Sequence, residues 1–264
     1  MGGGEDPDEN EMRLLPRLVE MAGGASARIL LCGAPAREPE EKFRAYRPLF
    51  ERLGVRAFHE VALAERPEAD DAATLDALRD ATAVFLPGGD QLRITTHLAA
   101  TEMGRQMRTR FDAGELVVAG TSAGAAAVTG TMIIGGDAEA PPSRRAVEMA
   151  PGLAFWPEAI VEPHFSERGR IGRLMAAVSQ NPAVLAVGID ADTAVEVDPR
   201  ESFRVLGSGS VTLLDGRTIT ASTAAEAAAD DVIVTTGLTM HCLAEGWGFD
   251  LGRRSPLPPV GGDR

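Results

Sequence analysis

The stretch VVAGTSAGAAAVTG, residues 117–130, decides the fold class of this 264-residue chain. An apolar run of the kind found in buried strands breaks into Gly120-Thr121-Ser122-Ala123-Gly124 and continues as an alanine-rich segment. A serine held between glycines, where a strand passes into a helix, is typical of a nucleophile elbow, because backbone crowds the serine on both sides. There the N–H of Ala123 can help to stabilise an oxyanion. The alternative is a small-residue turn that only allows close packing of helix on sheet.

Further apolar, strand-like runs recur along the chain, at 27–32, 81–89, 115–120, 185–190, 194–198 and 231–237. Segments with helical spacing lie between several of them, which predicts an α/β fold with a mostly parallel sheet covered on both faces. Residues 203–220, FRVLGSGSVTLLDGRTIT, combine strand composition with Gly and Asp-Gly turn signals. They predict an antiparallel extension of the sheet near the C-terminus.

Composition excludes several classes of protein. The chain has 26 basic and 39 acidic residues, a formal net charge of −13, which disfavours nucleic acid and anionic membranes as partners. The charge could attract a cationic substrate, or it could serve solubility alone. Two cysteines exclude a disulfide framework and a cysteine-based zinc site. No run approaches the roughly 20 apolar residues of a membrane span, and the acidic start MGGGEDPDEN has no signal-peptide core. We expect a cytoplasmic protein.

A catalytic serine needs a base, and the chain has four histidines. His59 and His97 lie in segments that look structural. His241 lies late in the chain, where an α/β-hydrolase places its catalytic histidine. His164 follows the apolar run AIVE and precedes a predicted helix, and loops at the carboxyl ends of strands are where open α/β sheets build their sites. His164 is therefore the best candidate.

The predicted helix after His164 is SERGRIGRLMAAVSQNP, residues 166–182. Ser166 can cap it and Asn181-Pro182 ends it. Arg168, Arg170 and Arg173 would then lie near its first turn, where cations oppose the helix dipole. An anion should compensate them, and a substrate carboxylate held by arginine fits this requirement. Pairing with Glu167 is the alternative.

Five stretches carry a resemblance to a known family: FLPGGDQLRIT (85–95), AGTSAGAAA (119–127), HFSERGRIGRL (164–174), GIDADTAVEV (188–197) and HCLAEGWGFDL (241–251). In this order they resemble the cyanophycinases and their relatives in peptidase family S51, from Gly2 to about Leu251. The resemblance implies an αβα sandwich like that of class I glutamine amidotransferases and aspartyl dipeptidase. It also implies a homodimer, no metal or cofactor, and serine hydrolysis of a peptide bond that involves an aspartyl β-carboxyl group. We predict one hydrolase domain at 1–252 and a loosely ordered tail at 253–264.

The resemblance also implies roles for individual residues. It makes Ser122 the nucleophile and His164 the general base, with an acidic partner between them in sequence that we assign to Glu139. Asp192 is the alternative orienting carboxylate. The remaining roles are oxyanion N–H donors and substrate contacts, assigned to Gly89, Ala123, Gln91, Glu162, Arg168, Arg170 and Arg173.

Two features depart from the family pattern. Where cyanophycinases carry Asp-Gln before the histidine, this chain has Glu162-Pro163; the proline lacks an N–H and an amide side chain, and the glutamate is one methylene longer. We therefore expect a small peptide or isopeptide substrate and weak or absent cleavage of cyanophycin. Relatives also place an apolar strand before the segment that begins this chain, so we expect the natural start upstream.

Two other functions stay open. One is an α/β-hydrolase-type esterase that uses Ser122 and His241. The other is a non-catalytic binding homologue. The segment PGGDQ (87–91) favours the cyanophycinase-like serine hydrolase over the esterase, since no HGGG-like oxyanion motif is present.

Overall fold

The computed structural model of this chain describes residues 1–4, 12–137, 140–198 and 202–259. The chain divides into two compact units. The first unit comprises Leu15–Gly130 and Pro151–Pro157, and the second comprises Met1–Leu14, Thr131–Ala150 and Glu158–Arg264. The prediction of a single hydrolase domain stays a prediction.

The first unit contains a parallel four-stranded sheet in the order β2-β1-β3-β4. Strands β1 and β3 are apolar and almost wholly buried, as expected where both faces of a parallel sheet are covered. The strands predicted in this part of the chain are confirmed. The bounds are β1 Arg28–Cys32, β2 Ala57–Val61, β3 Ala83–Leu86 and β4 Val117–Gly120, with helices α1 Leu14–Met21, α2 Pro39–Arg52, α3 Ala72–Asp80, α4 Gln91–Leu98, α5 Glu102–Asp112 and α6 Ala123–Ala127.

The second unit mixes parallel and antiparallel pairing. One sheet has the order β14-β11-β8-β7, in which only β7 and β8 run parallel. Another, β16-β15-β10-β9, is antiparallel throughout, and β5-β6 and β12-β13 form small pairs. The bounds are β5 Thr131–Gly135, β6 Glu148–Pro151, β7 Ala159–Pro163, α7 Ile171–Gln180, β8 Leu185–Ile189, β9 Thr193–Asp198, β10 Ser202–Gly207, β11 Val211–Asp215, β12 Ala221–Ser222, β13 Thr235–Thr236, β14 Thr239–Leu243, β15 Gly248–Asp250 and β16 Ser255–Leu257.

The predicted α/β class, with parallel strands and antiparallel strands towards the C-terminus, is confirmed. The segment 203–220 nevertheless does not form a simple hairpin. Strand β10 pairs with β9 and β15, whereas β11 pairs with β8 and β14. The turn between β10 and β11 thus passes the chain from one sheet to the other.

The predicted strand at 231–237 is wrong for most of its length, since only Thr235 and Thr236 form a strand. Val232 and Val234 are more than half exposed, and Ile233 between them is buried. The N–H of Ile233 donates to the carbonyl of Pro142. The segment is also held by two hydrogen bonds between Val234 and Thr223 and by an isolated bridge between Val232 and Ser143.

In the predicted tail, Ser255–Leu257 forms β16 and pairs with β15. Residues 260–264 lie outside the described part of the chain. In the ranges that the structure describes, no helix is both long enough and apolar enough to cross a membrane.

Candidate active site

The serine turn has the geometry of an elbow. Strand β4 ends at Gly120 and α6 begins at Ala123, and Ser122 between them has φ 51° and ψ −113°. These angles lie outside the regions that L-residues ordinarily occupy, and such strain is concentrated at functional sites. A methyl group on Gly120 would overlap the backbone carbonyl of Gly124. The turn therefore requires glycine at position 120, because the helix backbone crosses directly above it.

Gly124 is required by a second close approach, since a methyl group there would overlap the carbonyl of Leu86 at the end of β3. Ser122 occupies the residue before α6, yet its hydroxyl does not cap the helix. Ala123 is the first residue of α6, a position whose N–H has no partner within a helix. The elbow thus places the first N–H of α6 and the serine side chain at the carboxyl end of β4.

The loop between β3 and α4 lies against this serine in the same unit. A methyl group on Gly88 would be 3.3 Å from the Cβ of Ser122 and 3.7 Å from its Oγ. The next residue, Gly89, packs so closely on the Pro35 carbonyl that a methyl group would overlap it. Gln91, half-buried, begins α4. The first unit therefore brings Ser122, Ala123 and the Gly88–Gln91 loop together.

The Gly88–Gln91 loop is fixed at its far side by Asp90. The N–H of Asp90 donates to the carbonyl of Pro35 at 2.9 Å. Its carboxylate accepts from the N–H of Leu92 at 2.8 Å and from that of Arg93 at 3.3 Å, which caps α4. Gly89 is thus held between a capped helix and a strand end, as a preorganised oxyanion donor requires.

His164 directly follows β7 in the second unit and has φ 49°, a left-handed conformation that is uncommon for residues other than glycine. Its N–H donates to the carbonyl of Gly2 at 2.9 Å, and the N–H of Phe165 donates to that of Ile189 at 3.2 Å. The half-buried His164 side chain therefore stands at the carboxyl end of a parallel strand pair, where the sequence predicts it.

Asp190 ties down the chain two residues past His164. One carboxylate oxygen accepts from the N–H and hydroxyl of Ser166 at 3.0 and 2.5 Å, and the other accepts from the N–H and hydroxyl of Ser210 at 2.9 and 2.7 Å. Burial raises the pKa of Asp190, but these four hydrogen bonds outweigh it and bring the pKa below its ordinary value. An ionised Asp190 therefore fixes the loop that carries His164.

The prediction that Ser166 caps the helix after His164 is wrong, because the Ser166 side chain is committed to Asp190. Helix α7 begins at Ile171, five residues later, and ends at Gln180 as predicted. Arg168 and Arg170 consequently precede the helix, and only Arg173 lies in its first turn. The argument from the helix dipole therefore applies to one arginine rather than three.

A buried carboxylate compensates two of these arginines. Glu162 is 1% exposed and lies 2.6 Å from Nη1 of Arg170 and 3.2 Å from Nε of Arg173. Burial raises the pKa of Glu162 against the opposing pull of Arg173 and Arg170, and burial lowers the pKa of Arg170. Nη1 of Arg170 also donates to the carbonyl of Pro163 at 2.6 Å. The Glu162 carboxylate thus binds both arginines, and the Pro163 carbonyl binds Arg170 as well.

The third arginine differs in its surroundings. Arg168 is exposed, and its charge still acts on Glu162 through space. Glu167, the alternative partner, accepts a hydrogen bond from the N–H of Ala191 at 3.0 Å. Two guanidinium groups therefore contact the Glu162 carboxylate, and the third acts on it only through space.

The acidic partner of His164 stays a prediction. Glu139 lies outside the described residues. Asp192 has φ 49°, and its carboxylate accepts a hydrogen bond from the Ser208 hydroxyl at 2.6 Å. Because β7 and β8 are parallel, Asp192 follows β8 at the same edge of the sheet as His164.

Two other histidines make structural contacts. Nε2 of His59 lies 2.8 Å from the Asp80 carboxylate, and Nδ1 of His97 lies 2.8 Å from the carbonyl of Arg93, one turn back in α4. Among the residues that the structure describes, no three His, Cys, Asp or Glu side chains are grouped so that they could hold a metal ion.

His241, the base of the esterase alternative, lies in the middle of β14. Through β11 and β8 it is level with Val161, inside β7 rather than at its end. Three strand spacings of about 4.8 Å put its backbone roughly 14 Å from that of Val161. His241 is therefore separated from the strand end that carries His164.

Comparison with known proteins agrees with this geometry. The family model for peptidase family S51 matches residues 1–205. The cyanophycinase of Geminocystis herdmanii is 34% identical over 260 residues, covering 98% of this chain and 95% of that protein. That of Trichormus variabilis is 36% identical over 260 residues, covering 98% of this chain and 87% of that protein.

A crystal structure of a peptidase from an acI-B1 actinobacterium has the same fold. It matches with a TM-score of 0.67 and 19% identity, over 95% of this chain and 94% of that one. The extent of the family match and the identity to two cyanophycinases together establish the family. The chain belongs to peptidase family S51.

Proposed function

We propose that this peptidase is of the serine type, with Ser122 as nucleophile and His164 as general base. The observation that carries the proposal is the strained backbone of Ser122. It lies between Gly120 and Gly124, two positions where backbone packs so closely that only glycine fits. The family motifs that contain Ser122 and His164 support their pairing. The separate geometries of the elbow and of the β7 end are consistent with it.

The reaction would proceed through an acyl-enzyme. His164 takes the hydroxyl proton as Oγ of Ser122 bonds to the scissile carbonyl carbon, and the oxyanion accepts hydrogen bonds from the N–H groups of Ala123 and Gly89. The C–N bond then breaks as His164 returns the proton to the leaving amine. Water, deprotonated by His164, attacks the ester and releases the acid and the serine.

We propose a β-aspartyl or other isopeptide-linked substrate that carries a free carboxylate. Three arginines act electrostatically on the single carboxylate of Glu162, which supports an anionic recognition group, and the exposed Arg168 is the arginine best placed to contact it. Substrate specificity should differ from that of cyanophycinases. Glu162 forms ion pairs with Arg170 and Arg173, and Pro163 offers neither an N–H nor an amide side chain.

The test is hydrolysis of a panel of β-Asp-Arg polymer, β-Asp-Lys and small β-aspartyl dipeptides by wild type and Ser122→Ala. Loss of a nucleophile can cost on the order of 10⁶ in rate, so Ser122→Ala should be inactive while folded. Ser26→Ala, at an exposed serine of the same unit, is the matched control. Ser122→Ala activity within tenfold of wild type would refute the serine mechanism, and polymer cleavage faster than dipeptide cleavage would refute the proposed specificity.

A further inference from the structure

We propose that Gly3 is a positioning residue for the His164 imidazole, a role that rests on the proposed function of His164 as general base. Residues Gly2–Gly4 form a strip of backbone in the second unit that runs past the end of β7. Gly3 in this strip is pressed against the imidazole, and it fixes the ring from one side without a side chain of its own.

The contact between Gly3 and the ring is direct. A methyl group built on Gly3 would overlap Cε1 and Nε2 of His164 and come within 2.9 Å of Nδ1. These three ring atoms include both nitrogens that can hold the proton. The surface that limits rotation of the catalytic nitrogens is therefore the Gly3 backbone.

Gly3 cannot retreat from the ring, because the strip is anchored on both sides. The N–H of Gly2 donates to the carbonyl of Thr193 at 2.8 Å, and the carbonyl of Gly3 accepts from the N–H of Asp192 at 2.8 Å. Gly2 itself packs so closely on the carbonyl of Asp190 that a methyl group would overlap it. The strip is thus bound to the turn between β8 and β9.

His164 cannot retreat either. Its own N–H donates to the carbonyl of Gly2, and its left-handed φ of 49° is set by the hydrogen bonds that follow it at Phe165 and Ser166. The imidazole and the strip are consequently held against each other by backbone bonds at both ends. A general base must be held close to its productive position, because misplacement by about 1 Å can cost 100-fold in rate, and this arrangement supplies that constraint.

Gly3→Ala and Gly4→Ala form a matched pair. Both glycines have positive φ, +100° and +60°, so alanine introduces backbone strain at each. A methyl group on Gly4, however, would meet the Ala191 Cβ at 3.4 Å and the Asp192 backbone nitrogen at 3.9 Å, both ordinary contacts. The difference between the two variants therefore isolates the contact with His164.

The experiment compares the ring nitrogen resonances of His164, assigned by NMR with His164→Ala, and the steady-state kinetics on a β-aspartyl dipeptide. We expect Gly3→Ala to shift the His164 ring signals and to lower kcat about 100-fold with little change in KM, since misplacement by about 1 Å can cost this much. Gly4→Ala should leave both unchanged.

Unshifted His164 signals in folded Gly3→Ala would overturn the proposal whatever the activity, and so would equal shifts in both variants. An active His164→Ala would overturn the assignment of His164 as general base instead. The His164 ring signals of wild type, Gly3→Ala and Gly4→Ala would still show whether Gly3 positions the ring. If Gly3→Ala does not fold, a variant that lacks residues 1–4 replaces it: a change in the His164 signals supports the contact, and unchanged signals overturn it.

Discussion

Nη1 of Arg170 lies 2.6 Å from Oε1 of Glu162, and the Glu162 side chain is buried whereas that of Arg170 is partly buried. Glu162 also lies 3.2 Å from Nε of Arg173, so one carboxylate is the counter-charge of two arginines. Arg170 and Arg173 are thereby paired within the protein, whereas Arg168 is exposed.

Glu162→Gln should destabilise the protein. Removing one partner of a buried ion pair leaves uncompensated charge, and such losses are on the order of 3–5 kcal/mol. The free energy of unfolding from urea titration measures the effect, with Glu226→Gln at an exposed glutamate as control. A loss below about 0.5 kcal/mol, the usual scale of a surface substitution, would show that Glu162 does not compensate the arginines.

Arg168→Ala should reduce kcat/KM on a substrate with a free carboxylate by roughly 10- to 150-fold, the cost of one charged hydrogen bond. The matching amide substrate should be affected much less. Arg145→Ala is the control, because Arg145 pairs with Asp230 at the surface, where both side chains are 70% exposed. Equal losses on the acid and the amide would mean that Arg168 does not recognise a carboxylate.

Much of the framework can be predicted from the sequence where the pattern is local. The runs at 27–32, 81–89 and 115–120 are mostly apolar, as expected for strands of a covered parallel sheet, and each contains a strand. Likewise, glycines around Ser122 report a local need for backbone close to backbone. The elbow is therefore readable from five residues.

Features set by contacts between distant segments could not be predicted. Ser166 has the residue type of a helix cap, but its hydroxyl binds Asp190, 24 residues away, so α7 starts later. Sequence reasoning missed Asp190 for the same reason. Its position directly after the buried strand β8 was the available signal, since carboxylates at such strand ends tend to be functional or structural anchors.

Asp190→Asn should destabilise the protein in a pH-dependent way. The folded pKa of Asp190 is lowered, so its ionised form contributes stability above the unfolded value of about 3.9 and loses it as the pH falls through the folded pKa. The difference between wild type and Asp190→Asn should be on the order of 1–3 kcal/mol near neutral pH and shrink below about pH 4.

Urea unfolding of both proteins between about pH 3 and 7 measures this difference, with Asp231→Asn at an exposed aspartate as control. If the difference in free energy of unfolding between the two proteins stayed constant over this pH range, the four hydrogen bonds would not depend on the charge of Asp190.

The most direct test of the central claim is the site at which a serine-reactive fluorophosphonate bonds to the folded enzyme. Peptide mass spectrometry locates the adduct. A wild-type preparation that hydrolyses a β-aspartyl dipeptide is compared with folded His164→Ala and His241→Ala. The account predicts an adduct on Ser122, formed as fast in His241→Ala as in wild type and far more slowly in His164→Ala. An active preparation that is labelled at another residue, or whose Ser122 is labelled equally fast without His164, would contradict it.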